Sequence, residues 1–195
     1  MNTYISILAA LIVLVPSSYA LAQGIFPAAL LSQYRPSSSG GGGAVGTNYW
    51  PISYTSGSGS SGNYTVGTQI VIGSTNVMVN AIGCFLPANS TATYQLGLYN
   101  SSGSLLASNT VVGTNDLSST VMYASVAPVT LTAGATYTLA SYAGGATFIQ
   151  FSSSAFTTNN CATAANCTYV GSTILTWPTT LNGAGQSYGQ AFIYQ

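Results

Sequence analysis

Between Val77 and Ala143 the chain runs as short apolar stretches with period-two alternation, separated by polar turn clusters. That is the pattern of successive strands in an antiparallel sheet, one face buried and the other turned outward. In VMVNAIGCFL, strict alternation places Val77, Val79, Ala81, Gly83 and Phe85 on one face. Met78, Ile82, Cys84 and Leu86 share the other with Asn80, and Cys84 is expected to be a buried free thiol. In YQLGLYN, Tyr94, Leu96 and Leu98 face one way, and Gln95, Gly97 and Tyr99 the other. Asn100-Ser101-Ser102-Gly103 then supplies turn chemistry, with Gly103 free to adopt positive φ, and Leu105-Leu106 starts the return strand. Thr132–Ala135 turns the chain again between Pro128–Leu131 and Thr136–Ala140.

Further strands are predicted at Tyr64–Ile72, Phe148–Phe151, Tyr169–Val170, Ile174–Trp177 and Ser187–Tyr194. In the last, Tyr188, Gln190, Phe192 and Tyr194 share one face, and Gly189, Ala191 and Ile193 the other. The expected fold is all-β, an antiparallel β-sandwich of jelly-roll or immunoglobulin-like type, spanning residues 48–195 and preceded by an apolar amino-terminal segment.

The region before residue 48 divides in two. Residues 1–22 have the layout of a secretory signal, with an apolar run at Ile5–Val15, a break at Pro16-Ser17-Ser18, and Ala20-Leu21-Ala22 fitting a small-x-small cleavage pattern. The run is short for a membrane span. The competing reading keeps the segment as the helical stem of a type IV-like pilin. No basic-Gly processing site precedes the run, and Pro16 and Pro27 would interrupt a long stem.

Residues 23–47 hold QGIFPAALLSQY, followed by Arg35-Pro36 and a Ser/Gly run with the composition of a flexible tether. One reading packs Gln23–Tyr34 on its own domain. The other makes it a donor strand, with Ile25, Phe26, Ala28, Leu30 and Leu31 adding to the sheet of a neighbouring copy.

Charge changes the picture most. The 195 residues include one Arg (Arg35), one Asp (Asp116) and no Lys, Glu or His, although 47% are hydrophobic. Ordinary soluble domains carry about a quarter charged residues. General acid–base catalysis lacks a titratable group near neutral pH, and glycosidase chemistry lacks its second carboxylate. Serine or cysteine nucleophiles lack a base, metal sites lack ligands, and one Arg cannot neutralise nucleic-acid phosphates. The expectation is a protein without catalysis, cofactor, metal or nucleic-acid partner. A net charge near zero favours association between copies.

Three further sets of residues carry candidate roles. Tyr49, Trp50 and Tyr54 either stack on sugar rings or cap the end of the sandwich core. Cys161 and Cys167 flank ATAAN, a spacing read as a local disulfide in an oxidising compartment, with pairing of either to Cys84 as the alternative. Acceptor sequons begin at Asn63, Asn89, Asn100 and Asn166, all at expected loops or strand ends.

The order NAIG-F, LGLYNSSGSLLASNTV and APVTLTAGATYTLASY resembles a domain of uncharacterised function in secreted bacterial proteins. That domain is found among exoproteins sorted by a PEP-type C-terminal signal. The residues concerned are Ala81-Ile82-Gly83, Leu96-Gly97-Leu98-Tyr99, Gly103, Leu105–Ser108, Pro128-Val129, Leu131, Ala133-Gly134 and Tyr137. The resemblance implies a secreted β-sandwich and no known activity. The chain is also similar to low-charge archaeal filament subunits of pilin or thread type. Together these readings point to a secreted structural protein whose partners are copies of itself, assembled at the cell surface by strand donation. A secreted glycan-binding sandwich is the alternative.

Overall fold

The computed structural model of the protein describes residues 48–51, 53–54, 57–152, 156–157 and 159–195. They form strands β1 (Asn48–Trp50), β2 (Ser53–Tyr54), β3 (Ser58–Ser61), β4 (Tyr64–Ile72), β5 (Val77–Leu86), β6 (Thr93–Asn100) and β7 (Leu105–Val112). These continue as β8 (Thr120–Leu131), β9 (Thr136–Tyr142), β10 (Thr147–Gln150), β11 (Phe156–Thr157), β12 (Ala162–Gly171), β13 (Thr180–Ala184) and β14 (Gln190–Tyr194). No helix occurs among the described residues. The segment 23–34 and residues 1–22, which carry the signal, stem and donor-strand expectations, lie outside them.

A four-stranded sheet, β1-β14-β5-β8, faces a six-stranded sheet, β13-β12-β4-β9-β6-β7, with β10-β3 and β11-β2 as short ribbons. Neighbouring strands are antiparallel throughout these sheets. Between the two large sheets lie Ile70, Ile72, Leu96, Leu98 and Leu139 from one side and Trp50, Ile82, Leu86 and Phe192 from the other. Branched and aromatic side chains suit such a pleated, half-buried surface. The expected antiparallel β-sandwich is the observed fold. Tight turns fall where glycine permits positive φ, at Gly103 (82°) and Gly134 (72°).

Two local expectations fail, each for an identifiable reason. Strict alternation in β5 placed Val77 and Val79 opposite Ile82, Cys84 and Leu86, yet all five belong to the main core. The ladder shows why: Tyr194 pairs with Val79 and Ile193 with Ala81, so β5 carries one extra residue, Asn80, at a bulge. A bulge advances the side-chain phase by one, and every residue beyond it changes face. Ala81 therefore packs on the other side of the sheet with Tyr123, Ala191 and Ile193.

Ile174–Trp177 is not a strand. It is part of a strap crossing the outer face of the six-stranded sheet, where Gly67, Ala140 and Gly97 are register neighbours and form a shallow trough. A Cβ at Gly67 would sit 2.8 Å from the Pro178 side chain, and one at Gly97 3.2 Å from Leu175. Thr65 Oγ1 donates to Ile174 O (3.0 Å) and accepts from Thr176 N (3.1 Å), while Leu175 N donates to Gln95 Oε1 (3.3 Å). The strap bonds its Ile174, Leu175 and Thr176 backbone groups to side chains of the sheet instead of joining a ladder. The predicted strand at Tyr169–Val170 is the end of the ten-residue β12.

Candidate functional site

Consecutive residues of a strand point to opposite faces, and this separates the aromatic candidates. Trp50 is fully buried, stacks on Phe192 at 5.3 Å, and donates its indole N–H to Ala162 O at 2.7 Å. It ties β1 of one sheet to β12 of the other. Tyr49 lies on the outer side of β1, its ring 5.9 Å from that of Tyr123. Tyr54 belongs to β2, where its backbone pairs with Phe156. Trp50 is thus a core residue, and Tyr49 and Trp50 share no surface on which a sugar could stack.

The cysteine pairing expected from spacing is overturned. Cys161 and Cys167 are both free. Cys167 sits within β12 opposite Thr68, and Cys161 immediately precedes that strand. Six residues of extended chain span about 20 Å, against Cα separations of about 4.4–6.8 Å in disulfides. Cys84 is also free and buried, as its strand position predicted. Burial pushes the Cys84 thiol well up and the Cys167 thiol up to about 12. Cys161 also rises by burial, partly offset by a hydrogen bond with Tyr194. Thiols held protonated in this way are poor nucleophiles.

The sequons divide by local structure. Asn63 is exposed in the turn before β4, and Asn89 is exposed with φ of 59° in the loop after β5. Asn100 ends β6, and its Oδ1 accepts from Ser102 N (3.1 Å), Ser102 Oγ (2.8 Å) and Ser104 N (2.9 Å), closing the β6–β7 hairpin. Asn166 departs from expectation. It lies inside β12, between β4 and β13, and its Nδ2 donates to Gln69 Oε1 at 3.1 Å. The strand extends further than its short apolar segment implied, so the sequon falls mid-sheet.

A buried polar cluster with no counterpart among the sequence expectations lies in the core. Thr68 Oγ1 donates to Gln190 Oε1 (2.7 Å) and accepts from Tyr188 N (3.1 Å), with Ser187 Oγ 3.0 Å away. Gln190 Nε2 donates to Ser141 Oγ (2.8 Å) and Val66 O (3.3 Å). The cluster joins β14 to β4 and β9 through the core. None of its side chains titrates near neutral pH, so it orients strands and moves no protons. Its signal was Gln190 on the same face as Tyr188 and Phe192.

The sheet edges are the remaining candidate. Among the described residues, the outer strands of the two large sheets are β1 and β8 in one and β13 and β7 in the other, and none carries a charged residue. On β7, Leu105, Leu106 and Val112 are 50%, 38% and 51% exposed. Asn109 bridges the neighbouring edges of β7 and β8: its Nδ2 donates to Ser125 O at 2.6 Å, and its Oδ1 accepts from Thr110 N at 2.8 Å. Natural sheets usually guard edges with lysine, proline, bulges or covering loops. No protein-family model matches the chain, and no curated protein matches it.

Proposed function

We propose that the protein is a non-catalytic structural subunit of an extracellular filament or surface matrix, whose copies join by strand addition. The observation that carries this reading is the set of four sheet edges without a single Lys, Arg, Asp or Glu. Unpaired edge groups template the pairing of further strands, and charge is the commonest device against it. The segment 23–34 supplies a matching strand: apolar, uncharged and tethered by Ser and Gly. An interface of main-chain hydrogen bonds and buried Ile, Phe and Leu needs no electrostatics, so assembly should be insensitive to ionic strength.

In this reading the protein works outside the cell, where Asn63 and Asn89 offer exposed positions for glycans. Glycan binding through Tyr49, Trp50 and Tyr54 is the weaker reading, because Trp50 is committed to the core. Deleting residues 23–34 is the test. The truncated chain should keep its melting temperature and lose sedimentable polymer at both low and about 1 M salt. Polymer formed equally well without the segment would rule out strand donation.

A further inference from the structure

We propose that β7 is the acceptor edge, and that it takes residues 23–34 of a second copy in a head-to-tail arrangement. This rests on the strand-donation reading above and adds to it the site and the polarity of assembly.

The four edges are not equivalent. Strand β1 has three residues. Strand β13 has five, includes Gly183 at φ of 130°, and meets β12 across a register shift. Strand β8 is long, but Pro128 removes a donor and its ladder to β5 is irregular between Val79 and Ala81. Strand β7 offers eight residues without proline, glycine or charge; its one register shift against β6 falls at the Leu105 end, and the ladder from Ala107 to Val112 is regular, with Leu105, Leu106 and Val112 exposed along the strand. At its flank Ala107, Met122 and Val126 are only partly buried at the rim of the core. An added apolar strand would cover that rim.

The donor fits this edge in length and chemistry. Ala28–Tyr34 is a proline-free run comparable to β7, and Pro27 precedes it, tolerable because the added strand becomes the new edge. The chain also leaves the described domain on the opposite side. Residue 47 adjoins β1, and β1 and β8 are the two outer strands of the four-stranded sheet, three strand spacings or about 14 Å apart. The β7 edge lies beside β8, joined to it by Asn109. The start of the described chain at β1 and the acceptor edge thus lie on opposite flanks of one subunit. Different surfaces joined head to tail extend as an open fibre instead of closing as a dimer. Each addition displaces the Asn109–Thr110 contact, because Thr110 N is a group the incoming strand would pair.

Thr110→Pro tests the assignment. Thr110 N donates to Asn109 Oδ1 and so points away from β6; proline there removes no bond of the β6–β7 ladder. Leu106→Lys is the second variant, placing a charge on the same edge. Both chains should melt within a few degrees of the parent and lose polymer at least tenfold. A Thr110→Pro chain keeps the donor and a chain lacking residues 23–34 keeps the acceptor, so mixing these two should give one-to-one dimers and no fibres.

Should the proline variant fail to fold, the lysine variant takes its place in both measurements. Parent-like polymer from the folded edge variants, with polymer still abolished by the deletion, overturns β7 as the acceptor and leaves strand donation standing. Polymer from the deleted chain overturns strand donation itself. Absence of mixed dimers, with the deleted chain and the edge variants each monomeric, overturns the assignment in favour of a segment that folds back onto its own copy.

Discussion

Replacing Trp50 with alanine is expected to destabilise the fold by about 3–5 kcal/mol, the range for deleting a large buried aromatic. The loss has two parts. The stacked contact with Phe192 disappears, and Ala162 O loses its indole donor inside the core. Trp50→Phe keeps a ring on Phe192 and loses the hydrogen bond, at about 1–3 kcal/mol for the orphaned carbonyl, together with the smaller packing loss of the indole's second ring. Urea unfolding of the three chains measures both terms. A cost below about 1 kcal/mol for the alanine variant would show that Trp50 does not tie the sheets together.

The second large effect is alkaline unfolding. From acid to neutral pH the folded and unfolded chains differ little in bound protons, because the sequence has one Asp and no His or Glu. Melting temperatures at about pH 3 and about pH 7 should nearly coincide.

Above the ordinary thiol range the position reverses. Burial raises Cys84, Cys167 and Tyr123, and raises Tyr94, Tyr99 and Tyr188 in the same direction. Tyr194 is pushed up to about 12, by burial first and then by its hydrogen bond with Cys161. The unfolded chain therefore releases protons that the folded chain keeps. This stabilising contribution is fully present below the unfolded values and declines as pH rises through the window up to the folded ones.

Each retained proton costs about 1.4 kcal/mol per pH unit. Two buried thiols alone then remove about 4 kcal/mol by about pH 10.5, close to the whole stability of a marginal small domain. Melting should be steady to about pH 8 and collapse above about pH 10, and Cys84→Ala with Cys167→Ala should make that limb shallower. Stability unchanged to about pH 11 would contradict the burial of these groups.

The sandwich was legible because its strands advertise themselves. Thr93–Asn100 alternates clearly, with Tyr94, Leu96 and Leu98 together in the core, and Gly103 and Gly134 mark turns by a conformational need written in the residue itself. What stayed hidden depends on pairing between strands distant in sequence. The Asn80 bulge is set by the register of β14 against β5, more than a hundred residues later, and period alone cannot show it. The strap from Ile174 has a strand-like composition, but its partner is a trough formed by Gly67, Ala140 and Gly97 on three separate strands.

Cys161 and Cys167 looked like neighbours because spacing along the chain does not reveal that the link between them is extended. Asn109 reads as an ordinary strand residue, and only the approach of β7 to β8 gives it two edges to bridge. The uncharged edges were visible as composition from the start. Which segments would become edges was not.

Electron microscopy of the full chain, concentrated in solution and also imaged on its native surface, tests the central claim most directly. The account predicts fibres one subunit wide or bundles of them, unchanged in high salt and absent when residues 23–34 are removed. Dispersed single particles at high concentration, together with a native surface bare of filaments, would contradict it.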